Sequence, residues 1–91
     1  MAKWLQSGLR RDICVVVAGL DEPTDRAVKR GIETKYGETV RPKTFHGAMR
    51  ELVEIGYLDE EADGLQDRYA LTELGRDRLA EQFEWMRERV E

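Results

Sequence analysis

The chain predicts a mainly α fold closed by one small β-hairpin, in the order helix, helix, helix, hairpin, helix. Apolar residues recur at helical spacing in three stretches before Gly56 and in one after Thr72. Between them the period drops to two, in Tyr57-Leu58-Asp59-Glu60 and Arg68-Tyr69-Ala70-Leu71, on either side of Asp63-Gly64, a dipeptide that favours a tight hairpin. The 91 residues can bury one core but not two, so residues 1–91 read as a single domain.

Each element has its own signals. Ser7 is placed to cap a first helix over Gly8 to Ala18, with Leu9, Ile13, Val16, Val17 and Leu20 as its inner stripe. Gly19 and the Asp21-Glu22-Pro23 turn end it. Thr24 caps a second helix with Asp25 in its first turn, Ala27, Val28, Gly31, Ile32 and Tyr36 inward, and Gly37 as the left-handed stop. Pro42 suits the first turn of a third helix that runs through Ile55 to Gly56. Phe45, Ala48, Met49, Leu52 and Val53 form its inner face; Lys43, His46, Gly47, Arg50 and Glu54 form its outer one.

With Asp63 and Gly64 as the two turn residues, Leu58 faces Tyr69 and Asp59 faces Arg68, which pairs apolar with apolar and acid with base. The same register sets Glu60 against Asp67, a like-charge pair that favours a splayed tip or a longer loop. Thr72 caps the last helix, with Glu73 at its positive end and Arg87 and Arg89 at its negative end. The core then spans 7–71 and the C-terminal helix 72–90.

Composition narrows the function. A single cysteine, Cys14, lies in an apolar run, so it forms no internal disulfide and reads as a buried hydrophobe. With His46 the only histidine, no zinc-type ligand set can be assembled, and neither a metal nor a cofactor is expected. No nucleophile has a base at a recognisable spacing and no glycine-rich phosphate loop is present, so no catalytic residues and no enzymatic activity are expected. The absence of a leader, and of an apolar stretch near the ~20 residues that cross a bilayer, points to a cytoplasmic protein without a membrane partner.

The net charge of −4 is unevenly distributed. Arg26, Lys29, Arg30, Lys35, Arg41, Lys43 and Arg50 face only Glu33 and Glu38 between residues 26 and 50, whereas thirteen acids oppose five arginines from residue 51 on. The basic third coincides with the second and third helices. Three helices followed by a hairpin is the winged helix-turn-helix plan, in which the third helix lies in the major groove of double-stranded DNA.

Lys43, Thr44, His46 and Arg50, on or beside the outer face of the third helix, are therefore candidates for base or phosphate contact. Arg50 suits a bidentate pair with guanine, a contact to phosphate alone, or plain solvent exposure. Thr44 suits DNA contact or a local backbone bond; His46 suits DNA contact or plain solvent exposure. Arg26, Lys29, Arg30 and Arg41 suit phosphate contacts that position without specifying. Arg68 is the one wing cation expected near DNA, because Glu60, Glu61, Asp63 and Asp67 would aim carboxylates at phosphates from the wing tip.

The stretch Arg41-Pro42-Lys43-Thr44-Phe45-His46-Gly47-Ala48-Met49-Arg50-Glu51-Leu52, then Gly56-Tyr57-Leu58 and Arg68-Tyr69-Ala70-Leu71-Thr72-Glu73-Leu74-Gly75-Arg76, resembles the PadR family of regulators. The resemblance spans roughly residues 5 to 90 and is specific between 41 and 76. It implies a homodimer joined through the C-terminal helix that binds a palindromic operator, usually as a repressor. Gly47 departs from the family, which often has a basic residue there. Either the helix approaches the DNA backbone at Gly47, or glycine is tolerated near the helix start. The acidic wing is the second departure.

Leu79, Phe83, Met86 and Val90 form a narrow stripe suited to a seam with another helix, and Trp4 and Trp85 add apolar surface near the termini. A homodimer would bury that surface. The competing reading is a protein-interaction module that engages a protein partner through the acidic wing and the C-terminal helix.

Overall fold

A computed structural model of the chain describes residues 8–90. Four helices and one hairpin follow in the expected order: α1 (Gly8–Gly19), α2 (Asp25–Tyr36), α3 (Pro42–Ile55), β1 (Leu58–Asp63), β2 (Gln66–Leu71) and α4 (Glu73–Val90). Helix α1 packs against α2, α3, α4 and β2 and so lies at the centre. This is a winged-helix fold. The expected cap at Ser7 lies outside the described residues.

The helix ends form where the local chemistry places them. Thr24, in extended conformation, accepts the Ala27 N–H at 3.2 Å and opens α2. Gly37 and Gly56 close α2 and α3 with φ of 72° and 94°. Pro42 occupies the first turn of α3, where its missing N–H costs no helical bond. Thr72 accepts the Gly75 N–H at 2.9 Å and donates to the Gly56 carbonyl at 2.6 Å, tying the start of α4 to the end of α3.

The core comprises Ile13, Cys14, Val17, Val28, Ile32, Phe45, Ala48, Met49, Leu52, Tyr57, Leu58, Tyr69 and Leu71. Leu20, expected on the inner stripe of α1, lies past the helix end and is exposed. Tyr36 is likewise only partly covered, but its hydroxyl donates to Asp12 Oδ2 at 2.7 Å. That bond, with Lys35 at 3.9 Å and Arg11 at 3.4 Å, supports a carboxylate that is almost wholly buried.

The hairpin corrects the expected register. Leu58 faces Leu71, Glu60 faces Tyr69 and Glu61 faces Arg68, a slide of two residues that keeps every side chain on its expected face. The turn is Gly64-Leu65, not Asp63-Gly64. Gly64 takes the first central position with φ of 66°, and no other residue of the turn has positive φ; this is where a type II′ turn places glycine. The expected register would put Asp63 at a turn position that in a type I′ hairpin needs positive φ, and would oppose Glu60 to Asp67. In the observed one, Glu60 instead accepts the Tyr69 hydroxyl at 2.7 Å. Both strands are therefore longer than expected. The middle of β2 is pinned from outside the hairpin, because Tyr69 N–H donates to the Pro23 carbonyl at 2.9 Å and Thr24 bridges to Arg68.

Burial pushes the Cys14 thiol up to about 12 from 9.0, and the Tyr36 hydroxyl to about 12 from 10.0, the latter also through its bond to Asp12. Tyr69 moves in the same direction, by burial and by Glu60. A raised folded-state value means that the native chain holds its proton while the unfolded chain loses it. Stability from these groups is complete below about pH 9 and falls as pH rises towards 12. Denaturant midpoints measured across this range should decrease steadily, and native Cys14 should resist alkylation at about pH 8 until the chain is unfolded.

Candidate nucleic-acid interface

Helix α3 buries Phe45, Ala48, Met49 and Leu52 and thereby turns Lys43, Thr44, His46, Gly47, Arg50, Glu51 and Glu54 outward. The 3.6-residue period spreads these over the free side of the helix. Lys43, Gly47, Arg50 and Glu54 lie opposite the buried stripe. Thr44 and Glu51 flank it on the α1 side, where Glu51 is ion-paired with Arg10 and a shallow cleft runs past Leu9 and Arg10. His46 flanks it on the other side, towards α2 and the wing.

The candidate cations divide into free and engaged. Among the described residues, Arg26, Arg30, Arg41, Lys43 and Arg50 are exposed and have no carboxylate within ion-pair distance. Arg41 immediately precedes α3 and Arg26 and Arg30 project from α2, so these charges lie along the helix-turn-helix. Lys29 is engaged: its ammonium lies 2.8 Å from Glu33. Glu33 also accepts the Val40 N–H at 2.8 Å, and the two bonds hold its carboxyl below its ordinary range. Glu33 thus braces the α2–α3 connection, a role invisible in its sequence position.

Arg68 is engaged as well. Its guanidinium bonds Asp63 at 2.6 Å and the Glu22 carbonyl at 2.9 Å, and Glu22 holds that carbonyl in place with φ of 45°, rare for a residue with a side chain. The cation expected to reach from the wing is therefore committed to Asp63 near the wing tip and to the turn between α1 and α2. Glu61, Asp63 and Asp67 remain exposed on the hairpin, and Leu65 stands fully exposed at its tip.

A cleft of about 760 Å³ lies between α2, the start of α3 and the wing tip, lined by Arg26, Lys29, Arg30 and His46 on one side and Leu65, Gln66 and Asp67 on the other. Within it His46 and Asp25, 21 positions apart in sequence, come to 3.5 Å. Sequence reasoning placed Asp25 only as a helix-start acid; nothing in its spacing signals the contact.

Gly47 sits in the middle of the outer face, and a Cβ built there meets nothing within 4 Å. Gly47→Ala should raise stability by about 1 kcal/mol, since alanine is the better helix former and nothing obstructs it. If α3 docks its centre against a duplex, the same change should weaken DNA binding. Chemical denaturation and a duplex titration on one sample would read the two opposite effects.

The expected dimer stripe lies on α4. Leu79 packs partly against the core, whereas Phe83, Met86 and Val90 are exposed, Phe83 by 62% and Val90 by 82%. Leu79, Phe83 and Met86 line a groove of about 580 Å³ together with Val15 and Ala18 of α1. Gln82 is buried in this groove, and its Oε1 has no hydrogen-bond partner among the described residues. Trp85 is covered on one face by Arg89, 4.4 Å from the ring centre. Trp4, expected at the same surface, lies outside the described residues. Among the described residues no helix is long and apolar enough to cross a membrane, and no group of three or more potential metal ligands occurs.

The architecture defines a winged-helix protein, and solved structures agree. The chain is similar to RosR of H. salinarum, with 28% identity and a TM-score of 0.83 over 91% of this chain and 76% of that one. It is also similar to the RosR-S1 complex structure, with 27% identity and a TM-score of 0.86 over 97% of this chain and 80% of that one. F-93 of SSV1 shares the fold at a TM-score of 0.67 and 16% identity, over 89% of this chain and 90% of that one. No protein-family model and no curated protein matches the chain.

Proposed function

We propose that this chain is a sequence-specific double-stranded DNA-binding transcription regulator, acting as a homodimeric repressor of the PadR-like kind with α3 in the major groove. The observation that carries the reading is the row of free cations, Arg26, Arg30, Arg41, Lys43 and Arg50, along the helix-turn-helix of a winged-helix fold whose remaining surface is acidic. Phosphates attract that row, and α3 between them presents side chains to base edges. The likeness to RosR, at 27–28% identity over nearly the whole chain, supports it. The resemblance of residues 41–76 to PadR regulators supports the finer assignment, and the exposed stripe of α4 supports the dimer.

Binding-site selection from random duplex DNA tests the reading. Enrichment of a palindrome with half-sites about one helical turn apart is the expected result. Arg50→Ala should then lower affinity for the selected site by about 1 to 3 kcal/mol and relax one position, with the fold intact. An unchanged Arg50→Ala variant would remove Arg50 from the groove.

The second reading, a protein-interaction module, is favoured by one feature: the wing carries exposed carboxylates and its cation is tied to Asp63. Salt separates the two. Binding through several phosphates weakens steeply as salt rises, whereas an apolar protein interface does not.

A further inference from the structure

His46 and Asp25 meet across the joint between α3 and α2. The ring bonds the Pro42 carbonyl through Nδ1 at 2.8 Å. A carbonyl can only accept, so Nδ1 carries the hydrogen and Nε2 of the neutral ring is an acceptor. Nε2 lies 3.5 Å from Asp25 Oδ2, also an acceptor, while Asp25 Oδ1 takes the Arg26 backbone N–H at 2.8 Å. With the ring in its neutral form, two acceptors therefore face each other with no hydrogen of the protein between them. Both side chains are accessible, His46 by 56% and Asp25 by 40%, beside the outer face of α3.

Resting on the DNA-binding reading, we infer that His46 Nε2 and Asp25 Oδ2 act together as an acceptor pair that selects cytosine at one position of the half-site. In a base pair, cytosine presents the major groove with an amino hydrogen on N4 and no acceptor of its own. Adenine offers a similar hydrogen from N6 but sets the acceptor N7 beside it, against the second member of the pair. Guanine and thymine present acceptors where the pair needs a donor. Asp25 is thus a specificity residue contributed by α2, outside the recognition helix.

The charged groups around the pair are Arg26, Lys29, Arg30 and Glu33 of α2, Arg50 and Glu54 of α3, Glu60 of β1, and Asp67 of β2 beside Tyr69. Lys29 is held by Glu33 and Glu60 by Tyr69, leaving Asp25 nearest to the ring among carboxylates within ion-pair distance.

The test is binding-site selection at about pH 8 with the wild type, Asp25→Asn and His46→Ala, each checked for folding by thermal melting. The wild type should show one column per half-site held by cytosine, and a duplex changed at that base should bind roughly tenfold more weakly. In both variants that column should relax towards parity while the others stay as they were. The inference is overturned if a selected operator keeps every column in both variants, or if the relaxed column holds a base other than cytosine. Folded wild type that selects no operator at all overturns the DNA-binding reading itself, and this inference with it.

Discussion

Gly75→Ala is expected to destabilise the fold by about 3 kcal/mol and to lower the melting temperature by about 15 °C. A Cβ at this position would stand 2.2 Å from the Tyr57 carbonyl oxygen and 3.2 Å from Leu71 Cδ2. The first of these is backbone, and it is already engaged: the Tyr57 oxygen accepts the Thr72 N–H at 3.1 Å, within the same clasp that joins α3, the wing and α4. Relief requires either moving α4 away from the Tyr57 carbonyl or breaking that bond, because a flexible side-chain end is not what stands closest. Thermal melting with calorimetry measures the loss. A variant as stable as the wild type would show that α4 can slide over the wing at little cost.

Phe83→Asp should convert the proposed dimer into a folded monomer. Phe83 is mostly exposed in the single chain, so its replacement leaves the core untouched. In a dimer seated on the α1–α4 groove, the introduced carboxylate would be buried beside Met86 and Val15 without a partner. Light scattering should read half the wild-type mass at micromolar concentration, with helical content unchanged. Affinity for a palindromic site should fall by about a hundredfold, since each half-site then binds alone. A variant that remains dimeric would move the interface away from α4.

These two effects differ in how far they could be read in advance. The stripe that includes Phe83 is legible as a period along one helix, whereas the close approach at Gly75 joins α4 to a carbonyl 18 positions earlier. Gly75 belongs to the string that resembles PadR regulators, but its physical reason is the Tyr57 oxygen.

The basic helix-turn-helix was legible because charge needs only counting along the chain. Which charges are available was not. Lys29 and Arg68 count the same as Arg26 and Arg50 in the sequence, yet Glu33 and Asp63 hold the first two. Asp12, unremarkable between Arg11 and Ile13, becomes a buried carboxylate only because Tyr36 and Lys35 arrive from α2.

Thr24, Pro42, Gly37, Gly56 and Thr72 set the helix boundaries through bonds and dihedral angles that span at most a few neighbouring residues, so order, period and boundaries follow from the chain alone. The wing's register depended on partners brought from elsewhere. Alternation is identical in registers two residues apart, and the choice between them rests on the turn at Gly64, the Tyr69–Glu60 bond and the Pro23 carbonyl that receives Tyr69. The Asp25–His46 pair likewise exists only because α2 and α3 fold against each other and the wing closes beside them. Local conformational preferences are properties of short segments, but hydrogen bonds between distant groups require the whole packed chain to bring donor and acceptor together.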